Sequence, residues 1–241
     1  KEINDTYGML SCSQALATGY NIKSDFSNRM YHANLSLQLS KELGNWVALA
    51  SSYHSMADIY LSLEITDEGD LYHEKALEYC KKSGYKSEEM NILGHIAAIE
   101  QARGNYEKSI QYIDEVIDWQ ERHGNDNVIY GARAKKIYVL VQAEKYEEAK
   151  KLILSFNENY DSLVFMADFY KGMVDYSEGN MLTNLGQPDR GAELCLSAFN
   201  GISGFDQLFH ELHACECLYE AHKIMGNHER ALEYHEKRQE I

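Results

Sequence analysis

Proline is almost missing from this 241-residue chain, where Pro188 stands alone. Its scarcity excludes a Pro-rich linker and argues against a disordered tail or a loop-rich β-sandwich. Cysteine is sparse as well. Cys12, Cys80, Cys195, Cys215 and Cys217 form an odd set without framework spacing. That predicts free thiols packed in helices and leans toward a soluble protein in a reducing, cytoplasmic setting. Positive charge is short: 23 Lys and Arg face 38 Asp and Glu, for a formal net charge of −15. Such a surface repels phosphate backbones, so nucleic acid is excluded as a partner of this segment. No apolar run approaches the roughly 20 residues that a membrane span needs, so no membrane insertion is expected. Phosphate-cradling Gly-rich loops, a nucleophile elbow and a dinucleotide fingerprint are all lacking. No signal peptide is visible, and a chain that opens on Lys1 and not Met reads as a processed or trimmed fragment.

What the chain does have is a period. Short polar or Gly-containing breaks recur at Ser24-Asp25-Phe26, Glu64-Ile65-Thr66, Gly104-Asn105-Tyr106, Glu144-Lys145-Tyr146, Gly186-Gln187-Pro188 and Gly226-Asn227-His228. Their first residues lie 40, 40, 40, 42 and 40 apart. A second ladder, Gly44-Asn45, Gly84-Tyr85, Gly124-Asn125 and Gly204-Phe205, is spaced 40, 40 and 80, and Asn157 to Asp161 is expected to fill the gap. Between breaks, segments of 12 to 20 residues carry apolar side chains at helical spacing. Glycine, or an asparagine that tolerates a left-handed backbone, suits a helix C-terminus. Pro188 suits the first turn of a helix, where its missing N–H is not needed. The pattern predicts six helix–turn–helix units, about twelve helices and no strands, over residues 8–44, 45–84, 85–124, 125–164, 165–204 and 205–241.

Within the units, small and aromatic residues recur in register. The second has Met56-Ala57, Tyr60, Gly69, His73 and Ala76-Leu77, and the third Ile96-Ala97, Gly104-Asn105-Tyr106, Ser109 and Val116. The fourth has Tyr146, Ala149, Ile153 and Phe156; the fifth Gly179, Gly186, Gly191, Cys195 and Ala198; the last Gly226, Ala231 and His235. The first, with Leu16-Ala17, Tyr20 and Phe26, fits in its opening helix and poorly in its second. Small residues let paired helices approach closely. Over nearly its whole length the chain resembles the tetratricopeptide repeat family. It departs in its period of 40 against the family's roughly 34, and in lacking the proline that closes each unit. Arg133 and Lys136 also fall where the first helix of the fourth unit should be apolar, which predicts a rotated helix there. The segments Tyr72–Leu77 and Ala231–Lys237 are similar to the sensory repeat regions of bacterial signalling proteins.

The resemblance implies an all-α, right-handed superhelical solenoid whose first helices line a concave groove that binds a protein or peptide segment. Groove-facing positions on those helices are Gln14, Thr18 and Asn21; Ser51, His54 and Asp58; Asn91, His95 and Gln101; Tyr138 and Gln142; Tyr176, Asn180 and Asn184; and His213, Glu216, Glu220 and Lys223. Amides can both donate to and accept from a peptide backbone, and tyrosine adds rigid contact area with a polar tip. The lining suits a neutral or mildly basic extended segment. Chaperone-binding members clamp an acidic C-terminus with paired Lys and Asn, but Thr18, Asp58 and Ala98 occupy the matching places here and disfavour that activity.

Two clusters invite a chemical reading and do not support it by spacing alone. His210, His213 and Cys217 could hold zinc, but their spacing is not that of a zincin and Cys215 and Cys217 point to different helix faces. His54, Asp58 and His95 resemble an acid–base set that lacks a sheltered pocket and an orienting third group. No catalytic, cofactor or metal residue is therefore assigned. The helix from His228 to Ile241 has no following helix to cover its inner face, which predicts continuation of the chain, a partner, or self-association at that end. The expected function is a non-enzymatic peptide- or protein-binding scaffold within a larger bacterial signalling protein. The alternative is a structural or oligomerising module that acts through its ends.

Overall fold

A computed structural model describes residues 5–22, 25–124, 126–161, 164–202 and 208–240, which form helices joined by short turns, with no strand among the described residues. The helices pair in sequence. α1 (Thr6–Ile22) precedes α2 (Phe26–Leu43), α3 (Trp46–Ser62) precedes α4 (Thr66–Ser83), and α5 (Lys86–Ala102) precedes α6 (Tyr106–His123). α7 (Asp126–Gln142) then precedes α8 (Tyr146–Glu158), α9 (Ala167–Asn184) precedes α10 (Pro188–Ile202), and α11 (Leu208–Ile224) precedes α12 (His228–Glu240).

The turns explain the period. Glu64, Gly104, Glu144, Gly186 and Gly226 all adopt positive φ, between 57° and 80°. At each, the residue's own N–H bonds three residues back and the next N–H reaches five back, as in Gly104 N to Gln101 O (3.0 Å) and Asn105 N to Glu100 O (2.8 Å). This is the left-handed stop that lets the chain reverse into the next helix. Two of the five positions hold glutamate, which carries the steric penalty of a Cβ in that conformation, roughly 1–2 kcal/mol, against a smaller entropic gain. Both glutamates are exposed. Glu64→Gly and Glu144→Gly should therefore each stabilise the fold by about 1 kcal/mol, read as a higher midpoint in thermal denaturation; a lower midpoint for both would contradict this account of the turns. Gly44, Gly84 and Gly124 play the same part between pairs, whereas the expected break at Gly204-Phe205 lies outside the described residues.

A second column of small residues runs through the second helices: Gly69, Ser109, Ala149, Gly191 and Ala231, all buried. Arg29 occupies the equivalent place in α2, where it is buried and reaches Ser62 Oγ at 3.4 Å. That replacement is why the first pair matches the repeat poorly.

The chain divides into two compact units, residues 1–96 and 97–241. The core of the first gathers Leu37, Leu49, Tyr53, Met56, Ile59 and Ile92; that of the second gathers Ile137, Leu140, Phe156, Val174, Tyr176 and Leu218. Arg133 and Lys136 sit on the flank of α7, where they pair with Glu121 (2.7 Å) and Asp114 (2.5 Å) of α6. α7 still buries Ile129, Ala134, Ile137, Tyr138 and Leu140. The structure also corrects the expectation of five free thiols. Cys195 of α10 and Cys217 of α11 form a disulfide with Cα atoms 5.8 Å apart, leaving Cys12, Cys80 and Cys215 free. Two buried positions on neighbouring helices, 22 residues apart, carry no spacing signature of that pairing. Among the described residues no helix is long and apolar enough to cross a membrane.

Candidate functional site

Each unit carries a cluster of polar and aromatic side chains drawn mainly from its first helices. In residues 1–96 it is built around a carboxylate. His54 and Asp58 lie one turn apart on α3, and His95 comes from α5. Asp58 receives three imidazoles: His95 Nδ1 at 3.5 Å, His54 Nε2 at 3.8 Å and His73 Nε2, from α4, at 3.9 Å. Burial alone would raise the Asp58 pKa, but the hydrogen bond from His95 and the proximity of His54, His95 and His73 outweigh it and hold the pKa down. Burial, then the neighbouring His54, pushes His73 down to about 4. On the far side of His54, Glu88 Oε1 lies 3.2 Å from Nδ1. That bond leads the lowering of the Glu88 pKa, with Asn91 and Ser51 also bonded to the carboxylate. The rings of His54 and His95 meet edge to face at 4.7 Å.

In residues 97–241 the cluster is a relay of neutral groups. Gln101 Nε2 donates to Gln142 Oε1 (2.6 Å), Gln142 Nε2 donates to the Tyr138 hydroxyl (2.8 Å), and that hydroxyl lies 3.2 Å from His213 Nε2. Behind it the Tyr176 hydroxyl meets His210 Nδ1 at 3.1 Å. Desolvation lowers His213, and desolvation with the nearby His213 and Lys135 brings His210 to about 4, so both imidazoles are neutral at pH 7. Desolvation likewise raises Tyr138 to about 12. Neutral imidazoles can accept from the tyrosine hydroxyls or donate to them, according to the tautomer. Lys135 is the exception to this neutrality. It is exposed, yet enough protein surrounds its ammonium for desolvation to lower its pKa. No ion pair to it exists among the described residues.

The groove positions read from sequence are thus partly gathered. Ser51, His54, Asp58, Asn91 and His95 come together, as do Gln101, Tyr138, Gln142 and His213. Tyr176 is corrected: it is fully buried, with only its hydroxyl directed at His210, because α9 buries residues on most of its circumference. Gln14 and Asn180 are half-buried, and the side chain of Asn21 lies outside the described residues. Asn184 donates to the Tyr146 hydroxyl at 3.3 Å. Glu216 pairs with Arg238 and Glu220 with Lys223, so neither is an idle acceptor. Cys217, which the spacing disfavours as a zinc ligand, is held in the disulfide. Sequence reading missed His73, Glu88 and Lys135. Lys135 had a signal, since it lies 40 residues after His95 and so shares its place in the repeat. His73 did not, because it sits on a second helix among core positions.

No protein-family profile matches the chain, and no curated protein matches it either. Solved structures do. The apo form of the quorum sensor NprR from B. thuringiensis superposes with a TM-score of 0.74 at 15% identity, covering 97% of this chain and 63% of that one. The chain therefore spans under two thirds of the length of that protein. BtubC from P. vanneervenii gives 0.60 at 12% identity over 98% and 91% of the two chains, and PilF of Pseudomonas aeruginosa gives 0.62 at 14% over 95% and 90%. With its paired helices and turns that recur about every 40 residues, the chain has the fold of an all-α solenoid of the tetratricopeptide type.

Proposed function

We propose that the chain is a non-catalytic scaffold that binds an extended peptide or protein segment, as the repeat module of a bacterial signalling protein. The observation that carries the reading is Lys135. In a chain of net charge −15 it is a cation without an ion-pair partner among the described residues, partly desolvated, on the same helix as Tyr138 and Gln142 of the wall that runs from Gln101 to His213, and near enough to His210 for its charge to act there. Such a wall can exchange hydrogen bonds with a peptide backbone while the ammonium meets a carboxylate. This departs from the sequence expectation of a neutral or mildly basic segment, in favour of a ligand that is largely neutral with a single acidic group at Lys135. The likeness to a quorum sensor supports a signalling setting by analogy of fold alone.

A library of random heptapeptides with free C-termini, selected against the protein, tests the reading. Enrichment should require a carboxylate and should fall at least tenfold for Lys135→Gln and for His213→Ala, with helicity unchanged. If no peptide is enriched, or if both variants select the same peptides as wild type, the wall is not a binding surface. The alternative of self-association has its own support in Leu232 and Ile224, each 56% exposed near the C-terminal pair. Light scattering that gives a monomer at every concentration removes it.

A further inference from the structure

We infer that His54, Asp58 and His95 form a binding site for a divalent transition-metal ion, with zinc the natural occupant of an imidazole–carboxylate set. One ligand atom from each residue lies within 4.8 Å of the others. A tetrahedral zinc site with bonds of about 2.0–2.1 Å holds its ligand atoms about 3.3 Å apart, so side-chain movements that draw these atoms together by up to about 1.5 Å close this one. The inference is independent of the peptide-binding wall, which lies in the other unit.

The hydrogen bonding makes the argument. The Glu88 carboxylate can only accept, so His54 Nδ1 carries the proton in their 3.2 Å contact. In the neutral ring His54 Nε2 is then a bare lone pair. It is buried without a hydrogen-bond partner, and it faces the Asp58 carboxylate at 3.8 Å. That separation is too long for a hydrogen bond, and two acceptors pointed at one another call for a cation between them. Glu88 is placed as the outer carboxylate that orients a metal-binding histidine through its second nitrogen. His73 adds an independent sign. It is 2% exposed, neither ring nitrogen has a partner, and its Nε2 is turned to Asp58 Oδ1 at 3.9 Å. It is the group from which a fourth ligand would come. His95, whose side chain is 48% exposed, leaves the site open to solvent for entry of the ion. Arg29 also lies within reach of the Asp58 charge, but its guanidinium is turned to Ser62.

Linear spacing could not assign this site, since two ligands come from α3, one from α5 and the supporting groups from α4 and the start of α5. The test is to dialyse the chain against Zn²⁺, remove the excess and measure bound metal, then to titrate with Co²⁺ and record its visible spectrum. One metal per chain is expected, with a Co²⁺ spectrum free of a thiolate charge-transfer band. His95→Gln, at an exposed ligand, should keep the helicity and lower affinity at least about 100-fold; Asp58→Asn should do the same, and Lys135→Gln should leave metal binding intact. Three results would each overturn the inference: sub-stoichiometric metal, retention unaffected by both ligand variants, or a thiolate band placing the ion on cysteine. In the first case a proton on His54 Nε2 is what fills the gap.

Discussion

Replacing Gly179 with alanine should destabilise the second unit by about 2 kcal/mol, whereas the same change at Gly94 should stabilise the protein by about 1 kcal/mol. Both glycines lie inside helices, α9 and α5, where alanine is preferred by roughly 1 kcal/mol on propensity alone. At Gly94 an added Cβ meets nothing within 4 Å, so propensity is the whole effect. At Gly179 the Cβ would lie 2.5 Å from Cys195 Sγ, 2.8 Å from the Gly191 carbonyl oxygen and 3.2 Å from Cys217 Sγ. The contact is reciprocal, because a Cβ on Gly191 would stand 2.8 Å from the Gly179 carbonyl oxygen. A backbone oxygen on a facing helix cannot rotate aside, so α9 and α10 must separate, and overpacking of this kind costs about 1–3 kcal/mol or more. Denaturant midpoints followed by circular dichroism compare the two variants. If both shift in the same direction, the close crossing of α9 and α10 is not the reason for glycine at 179.

Acidification should loosen the first unit well before its carboxylates titrate. His73 is buried with a folded-state pKa of about 4 against 6.5 for a free histidine. Between those values the unfolded chain binds the extra proton, so stability is complete above pH 6.5 and falls as pH drops toward 4. The full difference is worth about 3 kcal/mol, of which about 2 kcal/mol is lost between pH 7 and pH 5. Asp58 and Glu88, both with lowered pKa, add losses of the same sign at lower pH, as their carboxylates are protonated. With chelator present, the denaturant midpoint should fall from pH 7 to pH 5 in wild type and much less in His73→Leu. Equal pH slopes in the two proteins would show that His73 is not the sensor.

These two residues also mark how far sequence reading carries. Gly179 and Gly191 were legible because small residues recur at fixed offsets and only helix contact explains them. The turns were legible for the same reason, even where Glu64 and Glu144 replace glycine, because the polar break survives the substitution. His54 and Asp58, one turn apart, were legible as a pair. Their setting was not. His73 reads as one more core position of a second helix, and Glu88 as an acidic residue in the first turn of the next. Tyr176 went wrong for a related reason: periodicity identifies the inner face of α9, but not that neighbours close over it. The bond between Cys195 and Cys217 depends on where two helices meet, which no local pattern records.

The interval of 42 between Glu144 and Gly186 has its own consequence. α8 stops at Glu158, five residues short of the length of α6, and the chain then runs to Ala167 through a left-handed Met166 before α9 begins. The irregular length is thus shared between the shortened α8, the junction after it and an α9 that is one residue longer than α7. One residue added inside a helix would turn everything after it by about 100° and carry its apolar face out of the core. Insertions and deletions thus have a permitted address in this architecture: the ends of the second helices and the junctions after them can drift in length over evolutionary time or accept a fused tag, while the three-residue turn inside each pair keeps strict count.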